Sequence, residues 1–160
     1  MARILVAYYT LFGSTRQLAE EIARQTNGAL RELVPQDNYS FDYNTAVKKA
    51  RGETERGFCP RLIAGSEPID AFDIVFVGTP NWFSTMAPPV LSFLRQHDFT
   101  GKTVLPFCTN GGGGAGHIEK DMGNACASAA FLPGIAVAGE VRPEQVQAWL
   151  DTVRLQCPLD

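Results

Sequence analysis

The sequence has no Cys-x-x-Cys pair, no block of like charge and no apolar run long enough to cross a bilayer. Each absence removes a class of function. Cys59, Cys108, Cys126 and Cys157 are widely separated, which gives no support to a zinc site or a dithiol redox motif. A 160-residue chain carries a core without covalent staples, since a domain of that size buries roughly 70% of its extended surface. Four reduced thiols in a cytoplasmic protein are therefore expected. The formal charge is −3, from 14 Lys and Arg against 17 Asp and Glu. It leaves no basic stripe for nucleic acid or for an anionic membrane. The apolar run from Ile4 to Tyr8 is too short to span a bilayer, and no small-residue cleavage site follows it. Neither membrane insertion nor an export signal is expected. Asn38-Tyr39-Ser40 fits the glycosylation sequon, a chance match without export.

What is present alternates between two periodicities. Ile4 to Tyr8 is partly β-branched and reads as a strand buried on both faces. Helical spacing follows from Ser14 to Thr26, with Leu18, Ala19, Ile22 and Ala23 on one side. Ser14 and Gln17 read as a capping box, and Asn27-Gly28 as the stop. A second strand is predicted over 29–34. Residues 35–42 are turn-rich, 43–55 are helical with Ala46, Val47 and Ala50 inward, and 57–66 are irregular. A third strand over 73–78 runs into the loop 79–84. Pro88-Pro89 opens a helix through Gln96, packing Val90, Leu91, Phe93 and Leu94. A fourth strand is predicted over 102–109, a glycine-rich loop over 110–116 and a helix to about Ala130. A fifth strand covers 134–138, and a last helix from Pro143 packs Val146, Trp149, Leu150 and Val153. This order predicts one domain over 1–160, a three-layer α/β/α fold on a five-stranded parallel sheet.

In such a sheet, ligands bind beyond the carboxyl ends of the strands where the winding reverses. Three loops fall there. Thr10-Leu11-Phe12-Gly13-Ser14-Thr15 offers three hydroxyls and a glycine at a helix N-terminus. Unpaired N–H groups and the positive end of the helix dipole converge there, so the loop suits a phosphate. Thr79-Pro80-Asn81-Trp82-Phe83 sets two aromatics at the binding edge, a wall for a planar ring. Thr109-Asn110-Gly111-Gly112-Gly113-Gly114 lets backbone approach a flat ligand. The plainer alternatives are helix capping for the first loop, core cover for the second and a flexible connection for the third.

Other nucleotide motifs fit poorly. Gly101-Lys102-Thr103 resembles the end of a triphosphate P-loop, but Gln96 stands where the first glycine is required and a strand follows. A phosphatase loop of the low-molecular-weight type needs a cysteine, which the first loop lacks. Gly111, Gly113 and Gly116 formally satisfy GxGxxG, yet a dinucleotide fold opens with that fingerprint, and here one strand and one helix remain. Receiver domains place carboxylates after the first and third strands, where this chain has Tyr8-Tyr9-Thr10 and Val77-Gly78-Thr79.

The stretches Tyr8-Tyr9-Thr10 through Thr15, Val77 through Phe83, and Pro106-Phe107-Cys108-Thr109 into the glycines resemble the flavodoxin family over nearly the whole chain. The likeness is greatest to a bacterial subfamily with a Tyr-rich insert after the second strand. Here that insert is 35–61, including Tyr39, Phe41, Tyr43, Ala46, Ala50 and Glu53. The resemblance implies strand order 2-1-3-4-5 and a non-covalent FMN. Its phosphate would lie at Thr10 to Thr15, and its ring between Thr79–Phe83 and Thr109–Gly114. It also implies electron transfer to a redox partner protein or a small-molecule acceptor. Phe83 stands where the subfamily carries a second tryptophan, and the charge of −3 is weak beside strongly acidic shuttle flavodoxins. An NAD(P)H-dependent quinone or flavin reductase, and a flavin-binding regulatory or partner-recruiting domain, are the alternatives.

Four further expectations can be checked. His117 is read as a helix cap or solvent-facing residue that could also approach the flavin. His97 is assigned to a helix C-terminus, favourable for its charge. Cys108 is a packing residue. Lys48, Lys49, Arg51, Glu53, Glu55 and Arg56 form a solvated helix face.

Overall fold

β1 (Ile4–Tyr8) is buried along its whole length, and its side chains alternate between two cores. Ile4, Val6 and Tyr8 join one cluster; Leu5 and Ala7, with Tyr9 just beyond, join the other. This is the period of two expected of a strand covered on both faces. The structure is a computed structural model that describes residues 2–65 and 67–159.

α1 (Ser14–Thr26) and α5 (Pro143–Arg154) cover the first face through Leu18, Ala19 and Ile22, and through Val146, Leu150 and Val153. α2 (Tyr43–Arg56), α3 (Pro88–Gln96) and α4 (Ile118–Ala125) cover the second through Ala46, Ala50, Val90, Phe93, Leu94, Ile118 and Met122. The sheet between them runs β2 (Ala29–Glu32), β1, β3 (Ile74–Trp82), β5 (Thr103–Asn110) and β6 (Ala130–Phe131), all neighbours parallel. β7 (Ile135–Ala138) also pairs parallel with β5. The three-layer parallel fold expected from the alternation is present, with 2-1-3-4-5 realised as β2-β1-β3-β5 followed by β6 and β7. Winding reverses at β1, between its neighbours β2 and β3.

The structure corrects the sequence reading at several points. The fifth strand is broken in two. β6 pairs with Thr103 and Val104, and β7 with Phe107 to Asn110. Between them, Pro133 and Pro106 offer no N–H to the ladder. The last helix before this strand stops at Ala125, not near Ala130. Ala130 is already in β6. The third strand is longer than expected because Asn81 and Trp82 pair antiparallel with β4 (Thr85–Met86). The predicted capping box is not formed. Gly13, at φ 103°, occupies the N-cap of α1, and among the described residues no side chain caps it. The stop at Asn27 holds: Asn27 is left-handed at φ 56°, and its N–H and that of Gly28 both reach the Ala23 carbonyl.

Candidate functional site

A cleft of about 640 Å³ opens beyond the carboxyl ends of the central strands. Three of its walls come from the three loops singled out in the sequence. Thr10, Leu11, Phe12, Ser14 and Thr15 line one side, Pro80, Asn81 and Trp82 a second, and Thr109, Asn110 and Gly111 a third. Ala138 and Gly139, after β7, complete it. The sequence reading missed this last pair. They carry no polar or aromatic signal, and only their place at the end of the last strand could have marked them.

The first wall presents hydroxyls and backbone N–H groups. Among the described residues no Lys or Arg lines the cleft. Gly13 turns the chain at a φ that disfavours other residues, and a Cβ there would meet nothing within 4 Å. Its N–H donates to the Thr10 hydroxyl oxygen at 2.9 Å. Among the described residues no side chain caps the first turn, so the leading N–H groups of α1 have no intrahelical or side-chain partner. The Thr15 and Thr109 hydroxyls lie 2.8 Å apart, and both residues are buried. A pair of hydroxyls uses one hydrogen between them and keeps one to donate outward. The nearest basic residue of the helix, Arg16, is engaged with Glu32 at 2.5 Å.

The second and third loops are tied together behind the cleft. The Asn81 amide donates to the Gly114 carbonyl at 2.7 Å, and the His117 N–H donates to the Ser84 carbonyl at 2.6 Å. Gly116 packs so closely that a Cβ would lie 2.7 Å from that same carbonyl oxygen, so a side chain at 116 would separate the loops. Asn110 folds the glycine loop back on itself by accepting from the N–H groups of Gly112 and Gly114.

Trp82 is wedged edge-on between buried aromatics. Tyr39 lies 5.0 Å away at 86° and Tyr9 5.6 Å away at 83°. The Tyr9 hydroxyl donates to Asn38 at 2.9 Å, and the Tyr39 hydroxyl donates to the Glu53 carboxylate. Burial, reinforced by nearby acidic charge, pushes both phenols well above their ordinary range, so they act as neutral donors. Glu53 therefore departs from expectation. It is not on the solvated face of α2 but buried at 6% exposure, fixing the insert to the aromatic wall.

The remaining expected site residues stand around the cleft rather than in its lining. Thr79 is fully buried behind it, accepting from the Ala87 N–H and donating to the Pro80 carbonyl. Phe83 turns to the α2 side, with the Arg51 guanidinium 5.3 Å from its ring centre. Gly13, Gly112, Gly113 and Gly114 shape the loops through backbone. His117 is the N-cap residue of α4 and is exposed. It borders a separate cavity of about 570 Å³ beyond Phe83. His97 differs from expectation too. Its ring packs edge-on against Phe93 and Phe99, and burial lowers its pKa instead of the helix end raising it. Cys108 is a buried packing residue whose thiol burial pushes up to about 11. All four cysteines are free thiols. Among the described residues no cluster of three or more His, Cys, Asp or Glu could hold a metal ion, and no helix is long and apolar enough to cross a membrane.

Comparison with known proteins agrees with this architecture. A solved protein from Bacteroides eggerthii assigned to the flavoproteins is 27% identical, with a TM-score of 0.87 over 96% of this chain and 98% of that one. A flavoprotein from Lactobacillus acidophilus, solved in complex with FMN, shares the fold at a TM-score of 0.75 and 17% identity, over 94% and 99% of the two chains. An NAD(P)H dehydrogenase (quinone) from Gluconacetobacter diazotrophicus is 28% identical over 107 residues, a match that spans 60% of this chain and 47% of that enzyme. A family model described as flavodoxin matches residues 3–153, and the chain accordingly belongs to the flavodoxin family.

Proposed function

We propose that this chain is one flavodoxin-like domain that binds FMN non-covalently in the switch-point cleft and transfers electrons through it. The observation that carries the reading is the convergence of an uncapped helix N-terminus, an aromatic wall and a glycine loop on one cleft of about 640 Å³.

The residues fit that cofactor. The N–H groups at the start of α1, with the hydroxyls of Thr10, Ser14 and Thr15, would hold a phosphate. Trp82, immobilised by Tyr9 and Tyr39, would bound the flavin ring. Thr109, Asn110 and Gly111 would meet the ring's polar edge, and Gly112, Gly113 and Gly114 keep bulk away from it. FMN supplies reversible one- and two-electron chemistry when bound; the chain supplies binding, orientation and electrostatics.

The test is the absorption spectrum of the purified protein, followed by anaerobic photoreduction and mixing with an electron acceptor. Bound flavin that is reduced and then reoxidised by the acceptor supports electron transfer. Bound flavin that passes no electrons would leave the flavin-binding regulatory role instead. A second reading, an NAD(P)H-dependent quinone reductase, is favoured by the likeness to the quinone dehydrogenase. Steady-state NADH or NADPH oxidation with a quinone separates it from a carrier reduced by another protein.

A further inference from the structure

The aromatic wall has a second side. There α2 faces Leu11, Phe12, Asn81, Trp82 and Phe83 across a slot of about 370 Å³. The α2 wall is a single helical stripe of Tyr43, Ala46, Val47 and Ala50, spaced to share one face. The alanines leave the space that a larger side chain would fill. Among the described residues, none that lines the slot is charged, and four of them, Leu11, Phe12, Asn81 and Trp82, also line the neighbouring cleft. The two spaces therefore share a wall. Phe12 and Tyr43 are 63% and 70% exposed, and Phe41 leans on Phe12 with ring centres 6.4 Å apart.

We propose that this slot binds the electron acceptor, and that the acceptor is a small, planar, uncharged compound of the quinone class. The inference rests on FMN occupying the adjoining cleft. Two apolar walls with aromatic rings select a flat ligand. The absence of charge in the lining disfavours an anionic one. The N-terminus of α2, the helix that forms this wall, carries the Asp42 carboxylate, which accepts from the Thr45 N–H at 3.0 Å. Tyr43 lines the slot and carries a hydroxyl of the kind that donates to a carbonyl oxygen. In the step itself, the reduced FMN anion would pass two electrons across the shared wall to the quinone and release its one N5 proton to solvent, and solvent at the mouth would give the quinone two protons. The products are hydroquinone and oxidised FMN.

The test uses FMN-loaded protein, photoreduced without oxygen and mixed with 1,4-naphthoquinone or its 2-sulfonate. Flavin reoxidation should saturate with naphthoquinone and rise linearly with the sulfonate. Val47→Asp puts a charge into the slot at a half-buried position. Ala50→Phe fills the slot at a buried one, so Val47→Asp decides if the other variant does not fold. Each should abolish saturation and slow the reaction about tenfold or more at low quinone, a loss of about 1.4 kcal/mol or more, while FMN affinity stays within about twofold. A linear dependence on naphthoquinone in the native protein, or unchanged rates in Val47→Asp, would overturn the proposal. Loss of FMN uptake in Val47→Asp would assign the slot to the flavin ring and overturn it as well. A native protein that takes up no FMN fails earlier, before quinone is added; the FMN reading is then wrong and this proposal falls with it.

Discussion

The hydroxyl of Thr15, in the first turn of α1, lies 2.8 Å from the hydroxyl of Thr109, near the end of β5. This buried bond joins the proposed phosphate loop to the loop proposed for the flavin edge. Thr15→Val removes it and leaves Thr109 unpaired. The variant should lose about 1–2 kcal/mol in urea unfolding, the usual penalty for an orphaned buried hydroxyl. FMN affinity should fall about tenfold if Thr15 also donates to the ligand. In a double-mutant cycle with Thr109→Val, the pair should cost less than the sum of the single changes. Strict additivity would mean the contact is idle.

Glu53 and Tyr39 make a second buried partnership, fourteen residues apart in sequence. Glu53→Ala strands the Tyr39 hydroxyl and should destabilise the protein by about 2 kcal/mol. Tyr39→Phe in the same background should recover part of that loss. Trp82 fluorescence should report the loosening, since Tyr39 packs directly on the indole. A Glu53→Ala protein as stable as the native one would return Glu53 to the solvated face.

Much of this architecture was legible in the chain. Ile4 to Tyr8 and Ser14 to Thr26 announce strand and helix because burial imposes their periods. The switch-point rule then draws the three loops to one place. Glu53 was not legible. Among Lys48, Lys49, Arg51, Glu55 and Arg56 it looks like one more surface charge, and its partner comes from a turn outside the helix. The break between β6 and β7 was also hidden, because it depends on Pro106 in the neighbouring strand meeting Gly134, where a Cβ would lie 1.9 Å from the Pro106 carbonyl oxygen. Ala138 and Gly139 gave no chemical signal at all.

The turn joining β3 to β4 was unreadable for a different reason. Phe83 and Ser84 both hold positive φ, at 57° and 65°, as a two-residue type I′ hairpin turn requires. Neither is a residue that favours this conformation. Ser84→Gly should relieve the strain and stabilise the protein by about 1 kcal/mol, measured by urea unfolding. A loss of stability would show that the Ser84 side chain contributes more than its backbone costs.

His97 gives the protein a pH dependence. Burial and the nearby Arg31 charge lower its folded-state pKa, against a smaller opposing effect of Asp70. The unfolded chain therefore binds the proton more tightly than the folded one. The stability contribution is complete above the unfolded-state value of about 6.5, and is lost as pH falls through the lower folded-state value. Urea midpoints of the native protein should drop between about pH 7.5 and 5.5 more than those of His97→Phe, which keeps a ring between Phe93 and Phe99. Parallel curves for the two proteins would contradict the assignment.

The most direct test of the account is a titration of flavin-free protein with FMN and, separately, with riboflavin, followed by quenching of flavin fluorescence. Several charge-assisted hydrogen bonds from the loop between Thr10 and Thr15 should make FMN bind about a hundredfold or more tightly than riboflavin, at one FMN per chain. Equal affinity for the two flavins, or no uptake of either, would contradict the claim that this loop is a phosphate site.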